Sequence, residues 1–122
     1  MRVLLAILAL ALAARPAEPC TGCKPPTVAK LFSESVRVYA GTVASVDKNK
    51  LVITVDTVWK GDVAAQQTFG TSCWFALKPN TKLIIMDRGG KPMYWISECL
   101  GVSRDNAAQR AALAKLAPPH AP

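Results

Sequence analysis

The residues of this 122-residue sequence that are best suited to chemistry are its four cysteines: Cys20, Cys23, Cys73 and Cys99. In a small exported domain, four cysteines predict two disulfides. They allow three pairings, and their spacing alone selects none of them. Pairings that tie both N-terminal cysteines to the two distant ones close long loops, and the chain-entropy model values each such bridge at roughly 4 kcal/mol.

Cys20 and Cys23 have two other possible uses. Their spacing is that of zinc ligands, but Cys73 and Cys99 are too far apart to supply the second close pair of a zinc ribbon. A thiol–disulfide enzyme would place the pair between a strand and a helix. Here the pair is followed by Lys24 and two prolines, and no predicted strand precedes it. Disulfide exchange therefore stays as an alternative hypothesis.

The rest of the sequence offers little conventional catalytic chemistry. The single histidine, His120, lies in a proline-rich tail, so this sequence contains no multi-histidine metal site. No glycine-rich phosphate loop is present. We therefore expect no enzyme activity, no bound metal and no cofactor.

The N-terminal segment has the pattern of a secretory signal peptide. Arg2 precedes 12 apolar residues, which end in small side chains at positions 11, 13 and 14. As a helix this run would span about 18 Å, too short for a hydrocarbon core of about 30 Å. We expect cleavage after Ala13 or Ala14, a secreted or periplasmic product, and no stable membrane anchor afterwards. The alternative is a membrane-anchoring or buried N-terminal helix.

The elements that must position the cysteines are mostly short strands. Thr27 is a predicted N-cap for a helix over residues 28–32, with Leu31 and Phe32 as apolar anchors. Alternating valines and alanines at even positions predict a strand over residues 36–46, and Gly41 within it predicts a bulge or sharp bend. Further predicted elements are a turn at 47–50, strands at 51–59, 66–71, 82–87 and 93–97, a short apolar run at 73–77, and a helix over 106–116 that Asp105 caps and Pro118 ends.

About five strands with flanking helices in about 100 residues favour a mainly β fold. The architecture that we predict is a five-stranded OB-fold-like barrel with a short N-terminal helix and a C-terminal helix. We expect a signal peptide at 1–14, the barrel domain at 20–102, and a C-terminal helix with its tail at 103–122. A β-sandwich is the rival, but it needs about seven strands.

Several short motifs occur in an order that resembles one known family. They are Cys20 to Cys23 followed by Pro25 and Pro26, the pair Leu31 and Phe32, the run from Val38 to Val46, the Val58 to Gly61 turn, Cys73, the run from Lys82 to Ile85, and the run from Glu98 to Gly101. Together they resemble the tissue inhibitors of metalloproteinases and their bacterial relatives, over roughly residues 20 to 102.

The resemblance implies an OB-fold barrel of the netrin-module type with the pairs Cys20–Cys73 and Cys23–Cys99. It also implies a partner, a zinc metalloprotease. In the animal inhibitors the free α-amino group and carbonyl of the first cysteine chelate the protease's zinc, and the next side chain enters the substrate pocket. Cys20 and Thr21 are the matching positions.

This sequence departs from the family pattern at two points. Two residues, Thr21 and Gly22, separate the first cysteines, where the family has one. Residues 15–19 precede Cys20 after cleavage at either predicted site, and an amide nitrogen bonded to Pro19 cannot ligate zinc as an amine does. Chelation therefore requires further trimming that exposes Cys20. Cys20, Thr21, Gly22 and Cys23 are the candidate contact for a protease or another extracytoplasmic protein. The alternative is a structural or interaction module with no inhibitory activity, in which Cys20 and Cys23 only staple the barrel.

The net charge of +7 suggests a third hypothesis, single-stranded nucleic acid, because OB-fold barrels bind it often. The basic residues are scattered, however, and export removes the usual substrate. We assign the aromatic side chains to the core or barrel wall rather than to stacking platforms; they are Phe69, Trp74, Tyr94 and Trp95. We therefore expect no nucleic-acid partner, and we expect a monomer.

Overall fold

The computed structural model describes residues 26–48, 50–70, 78–89 and 101–122. In chain order the elements are α1 (Val28–Glu34), β1 (Arg37–Asp47), β2 (Lys50–Lys60), β3 (Gln66–Gly70), β4 (Lys82–Asp87), β5 (Val102–Arg104) and α2 (Ala107–Leu116).

The five strands form one antiparallel sheet in the order β3-β2-β1-β4-β5. β1 lies in the middle, where it pairs with β2 through a local hairpin and with β4 from a distant part of the chain. The predicted mainly β fold with five strands and two helices is confirmed. In the described part of the chain the sheet is open between β3 and β5, so closure into a barrel stays a prediction.

Both faces of the sheet are covered. One apolar cluster takes side chains from all five strands, including Tyr39, Ile53, Phe69 and Val102. The second lies beneath the helices and contains Leu31, Val38, Ala40, Trp59, Ile84, Met86 and Leu113. Because each face has its own cluster, neighbouring residues along β1 and β4 are both buried, and polarity does not alternate along them.

The predicted single apolar face of β1 is therefore wrong in part. Val38 and Ala40 do lie together on the helix side. Tyr39 and Val43 belong to the other cluster, whereas Val36 and Val46 are exposed. The physical reason is that β1 changes register against β2 three times along its length. After each shift a different set of side chains faces a given side of the sheet.

One of those shifts is the bend predicted at Gly41. The register changes between Ala40 and Gly41, and the two backbones come very close there. A Cβ at position 41 would lie 2.3 Å from the carbonyl oxygen of Thr54 and 2.6 Å from Cγ2 of Ile53. The prediction of a bulge is confirmed, and close backbone approach is the reason for glycine.

Both helices lie at their predicted positions, but the N-cap residue of α2 differs from the predicted one. The Thr27 hydroxyl accepts a hydrogen bond from the Lys30 amide at 3.3 Å, as predicted. α2, however, is capped by Asn106, whose side chain accepts from the Gln109 amide at 2.8 Å. The prediction that Asp105 caps α2 is wrong, because the Asp105 carboxylate is bound by Arg110 instead.

The end of the chain adds two features that the sequence did not indicate. β5 is a three-residue strand that spans the predicted boundary between residues 102 and 103. Beyond α2, His120 forms a two-way backbone bridge with Val58, with N–O distances of 2.8 and 2.9 Å. The tail therefore covers the part of β2 that lies beyond its pairing with β3. The predicted strand at 93–97 and apolar run at 73–77 lie outside the described residues.

Candidate functional site

The predicted contact segment and its cysteines all fall outside the described residues; they are Cys20, Thr21, Gly22, Cys23, Cys73 and Cys99. The structure instead describes residues that flank these segments. They are Thr27 at the start of α1, Gly70 at the end of β3, and Gly101 before β5. The described part of the candidate site therefore consists of the elements that support it.

α1, which follows the candidate segment, is held against the sheet by apolar packing. Its buried anchor, Leu31, belongs to the same cluster as Met86 and Trp59, and Phe32 lies against that cluster. At its C-terminal end the Ser35 hydroxyl donates to the Leu31 carbonyl at 2.6 Å. Seven residues are too few for a helix to persist alone, so packing rather than propensity keeps α1 in place.

The turn from Val58 to Gly61, one of the motifs of the resemblance, forms the other half of this support. Trp59 is buried under the helices. The Lys60 ammonium donates to the Phe32 carbonyl at 2.8 Å and lies 5.0 Å from the centroid of that ring. A cation at a helix C-terminus provides a hydrogen-bond donor for a free carbonyl and interacts favourably with the helix dipole. Gly61 has a φ of +82°, and a Cβ there would lie 2.3 Å from the Val36 carbonyl oxygen.

A buried carboxylate at the end of β4 fastens the strand that follows α1. Asp87 accepts hydrogen bonds from Arg37 at 2.6 and 3.0 Å and from the Gly89 amide at 2.7 Å. Its backbone carbonyl accepts from the Val36 amide at 2.7 Å. The Asp87 side chain is 1% exposed, so its charge depends on these donors for stabilisation.

Gly101 marks where the chain re-enters the sheet. Its carbonyl accepts from the Met86 amide at 2.8 Å. Its φ is +143°, and a Cβ there would lie 2.1 Å from the Met86 carbonyl oxygen. Met86 also belongs to the apolar cluster that contains Leu31 of α1. This cluster thus includes a residue of the helix that follows Cys23 and a residue bonded to the position two after Cys99.

A second polar cluster, centred on Arg110 of α2, was not predicted. Its guanidinium donates to both Asp105 oxygens at 2.6 and 2.7 Å, and to Asp56 and Thr57 of β2 at 3.3 Å. It also lies 5.5 Å from the ring of Trp59, whose buried Nε1 has no hydrogen-bond partner among the described residues. This cluster ties α2 to β2.

The Arg110 cluster predicts a pH dependence of stability. Hydrogen bonds from Arg110 hold the pKa of the Asp105 carboxyl below its usual value, against the opposing effect of burial. Because the folded-state pKa is lowered, this stabilisation is present above the unfolded-state pKa of about 3.9 and is lost as pH falls through the folded-state value.

We therefore expect Asp105→Asn to lower the free energy of unfolding by about 1 kcal/mol at neutral pH. The difference from wild type should narrow as pH falls below about 4. Urea unfolding at a series of pH values measures it. A difference that is the same at pH 7 and at the lowest pH where the protein still folds would contradict the assignment.

Three further observations bear on the alternatives. The parts of the chain that the structure describes hold no group of three or more His, Cys, Asp or Glu side chains that could bind a metal. Phe69 is 1% exposed and belongs to the core, as predicted, so it offers no base a stacking surface; Trp74, Tyr94 and Trp95 lie outside the described residues. Neither α1 nor α2 is long and apolar enough to cross a membrane.

Comparison with known proteins leaves the chain without an assigned family. No protein-family model matches the sequence, and no curated protein matches it.

Proposed function

We propose that this chain is a secreted, disulfide-stapled binding protein built on an OB-fold-like barrel. Its contact surface is the segment Cys20, Thr21, Gly22 and Cys23. Its target class is a zinc metalloprotease, which it inhibits in a form that begins at Cys20. It works as a rigid ligand rather than as an enzyme.

The arrangement of the core supports the barrel. β3 and β5 are the outermost strands of the described sheet, yet Phe69 and Val102 from these strands belong to one apolar cluster. Phe69 and Val102 therefore lie on the same apolar face as the side chains of the strands between them, and coiling around that face would bring the two edges together to close a barrel.

The observation that carries the proposal is the position of Met86. Met86 belongs to the same apolar cluster as Leu31 of α1, and its amide donates to the Gly101 carbonyl. Cys23 lies four residues before the helix cap, Thr27, and Cys99 lies two residues before Gly101. At about 3.6 Å per residue, Cys23 lies at most about 14 Å from Thr27 and Cys99 at most about 7 Å from Gly101. The pair Cys23–Cys99 that the resemblance implies is therefore compatible with the anchored elements.

A rigid support is what this mode of inhibition requires. Binding by a short segment loses conformational entropy unless the segment is ordered beforehand. α1, Lys60 and the Asp87 cluster hold the chain immediately after the segment, and two bridges would hold the segment itself. An α-amino group, with a reference pKa of about 8, is deprotonated in roughly one molecule in ten at pH 7, and this is the form that can bind zinc.

Mapping the exported protein tests the proposal. The full sequence is expressed with its own leader, and the exported product is examined by intact mass, N-terminal sequencing and peptide mapping without reduction. We expect the bonds Cys20–Cys73 and Cys23–Cys99. A bond between Cys20 and Cys23 would instead support the thiol–disulfide hypothesis and overturn the stapled segment.

Inhibition is then measured by titrating zinc endopeptidases with a form that begins at Cys20. The matched control carries one alanine ahead of Cys20, which converts the amine to an amide and leaves every side chain in place. We expect inhibition by the first form and at least about a 100-fold loss in the second, since a metal ligand is removed. Equal inhibition by both forms would rule out chelation, and inhibition by neither would rule out the protease target.

A further inference from the structure

Five exposed basic side chains gather at the end of the sheet where the β1–β2 hairpin turns. They are Lys48, Lys50, Lys78, Lys82 and Arg104, and we call this group the hairpin-end cluster. In the described part of the chain, the ion pairs use Arg37, Arg88 and Arg110 and none of these five.

The backbone pairing places the cluster at one end. Lys82 pairs with Thr42 of β1, and Arg104 pairs with Leu83, the next residue of β4. The turn that starts at Lys78 lies beside Val43, which bonds to Thr81 at 2.9 Å and to Asn80 at 2.8 Å.

Beyond Val43 the hairpin continues to the pair Asp47 and Lys50. Four residues of strand extend the hairpin about 13 Å beyond Val43. Lys48 and Lys50 therefore project past the other three cations of the cluster.

The charge of this end is poorly balanced. Asp105 lies nearby and attracts Lys82, and it shares Arg110 with Asp56, so one of these two negative charges is left to offset the cluster. Asp47 is then the remaining acidic side chain of the described hairpin. At the other end of β4 the carboxylates of Asp87 and Glu34 are paired with Arg37 and Arg88. Five cations against two uncompensated negative charges leave the hairpin end with a surplus of positive charge.

We propose that the hairpin-end cluster docks the protein on an anionic lipid bilayer. Clustered lysines and arginines are attracted to anionic headgroups within a Debye length of the surface. Val46 favours a bilayer over a soluble polyanion as the partner. This apolar side chain is 39% exposed near the tip, two residues from Lys48. An apolar group among basic ones suits the boundary between headgroups and acyl chains. The proposal uses the described residues alone and does not depend on the cysteine segment.

The test uses the exported protein and two kinds of vesicle, phosphatidylcholine alone and phosphatidylcholine with about one third phosphatidylglycerol. Sedimentation at low salt and at about 0.5 M salt should show binding to the anionic vesicles only, weakened by salt. We expect the double variant Lys48→Glu, Lys50→Glu to bind at least about 25-fold more weakly, at about five-fold per lost cation. No binding of the wild type to anionic vesicles at low salt would overturn the proposal.

The matched control is Lys30→Glu with Lys115→Glu, which makes the same change of net charge on exposed positions of α1 and α2. It should keep most of the affinity, and equal loss in both double variants would reduce the effect to net charge and overturn the docking surface. Val46→Ser should weaken vesicle binding but leave binding to soluble polyphosphate unchanged. An unchanged vesicle affinity in Val46→Ser would overturn the bilayer as the partner. Circular dichroism confirms that each variant is folded.

Discussion

Gly41→Ala is expected to destabilise the protein by about 3 kcal/mol or more, enough to unfold a marginal domain of this size. The added methyl group would lie 2.3 Å from the Thr54 carbonyl oxygen and 2.6 Å from Cγ2 of Ile53. Relief requires β1 and β2 to separate where they pair most extensively. Since β1 is the central strand, both apolar clusters lose contacts. Urea unfolding followed by circular dichroism measures the loss.

Gly89→Ala serves as the matched control. Gly89 has a φ of +84°, but a Cβ there meets only Cγ2 of Val36, at 3.4 Å. Its cost is that of a left-handed alanine, about 1–2 kcal/mol, without a clash. If Gly41→Ala proved no more harmful than Gly89→Ala, the close approach of β1 and β2 would not be the reason for glycine at position 41.

Asp87→Ala is expected to cost about 3 kcal/mol, since removal of one member of a buried ion pair leaves its partners poorly compensated. The carboxylate receives two hydrogen bonds from Arg37 and one from the Gly89 amide, and it is 1% exposed. We expect a lower midpoint of urea unfolding with an unchanged m-value, because the surface exposed on unfolding stays nearly the same.

An exposed pair provides the comparison for Asp87. Glu34 and Arg88 are 2.5 Å apart, but their side chains are 39% and 42% exposed. Exposed pairs contribute at most about 1 kcal/mol, so Glu34→Ala should shift the midpoint only slightly. Similar costs for Asp87→Ala and Glu34→Ala would mean that burial does not strengthen the Arg37–Asp87 pair.

Much of the local structure could be predicted from local chemistry. Thr27 predicts the start of α1, because its hydroxyl caps the helix through a local hydrogen bond that needs no distant residue. The β1–β2 hairpin and the bend at Gly41 follow from two apolar runs, four polar residues and a glycine. In each case the information lies within a few residues of the feature.

Other features depend on distant partners and could not be predicted. Asp105 and Asn106 are equally good caps in sequence, and the choice between them is made by Arg110, which binds Asp105. β5 has only three residues and exists because β4 offers a free edge. The burial of Tyr39 beside Val38 follows from having a core on both faces, and no repeat along β1 reveals it.

The candidate site divides in the same way. Its cysteines were recognisable from residue type alone, while the roles of Lys60 and Met86 in supporting α1 and Gly101 depend on packing. The Arg110 cluster was missed because its members come from β2 and α2. Asp105 and Arg110 are five residues apart, which is not the spacing of a helix-surface pair.

The bridge between His120 and Val58 has a consequence for local opening. α2 has ten residues, too few to persist alone, and it is held to β2 by Arg110 within the helix and by His120 beyond it. Fraying from the C-terminal end would break the His120 bridge and then expose Leu113, which is fully buried. Opening of the tail therefore frees the edge of β2 beyond its pairing with β3, and opening of the helix as well uncovers the apolar cluster beneath it.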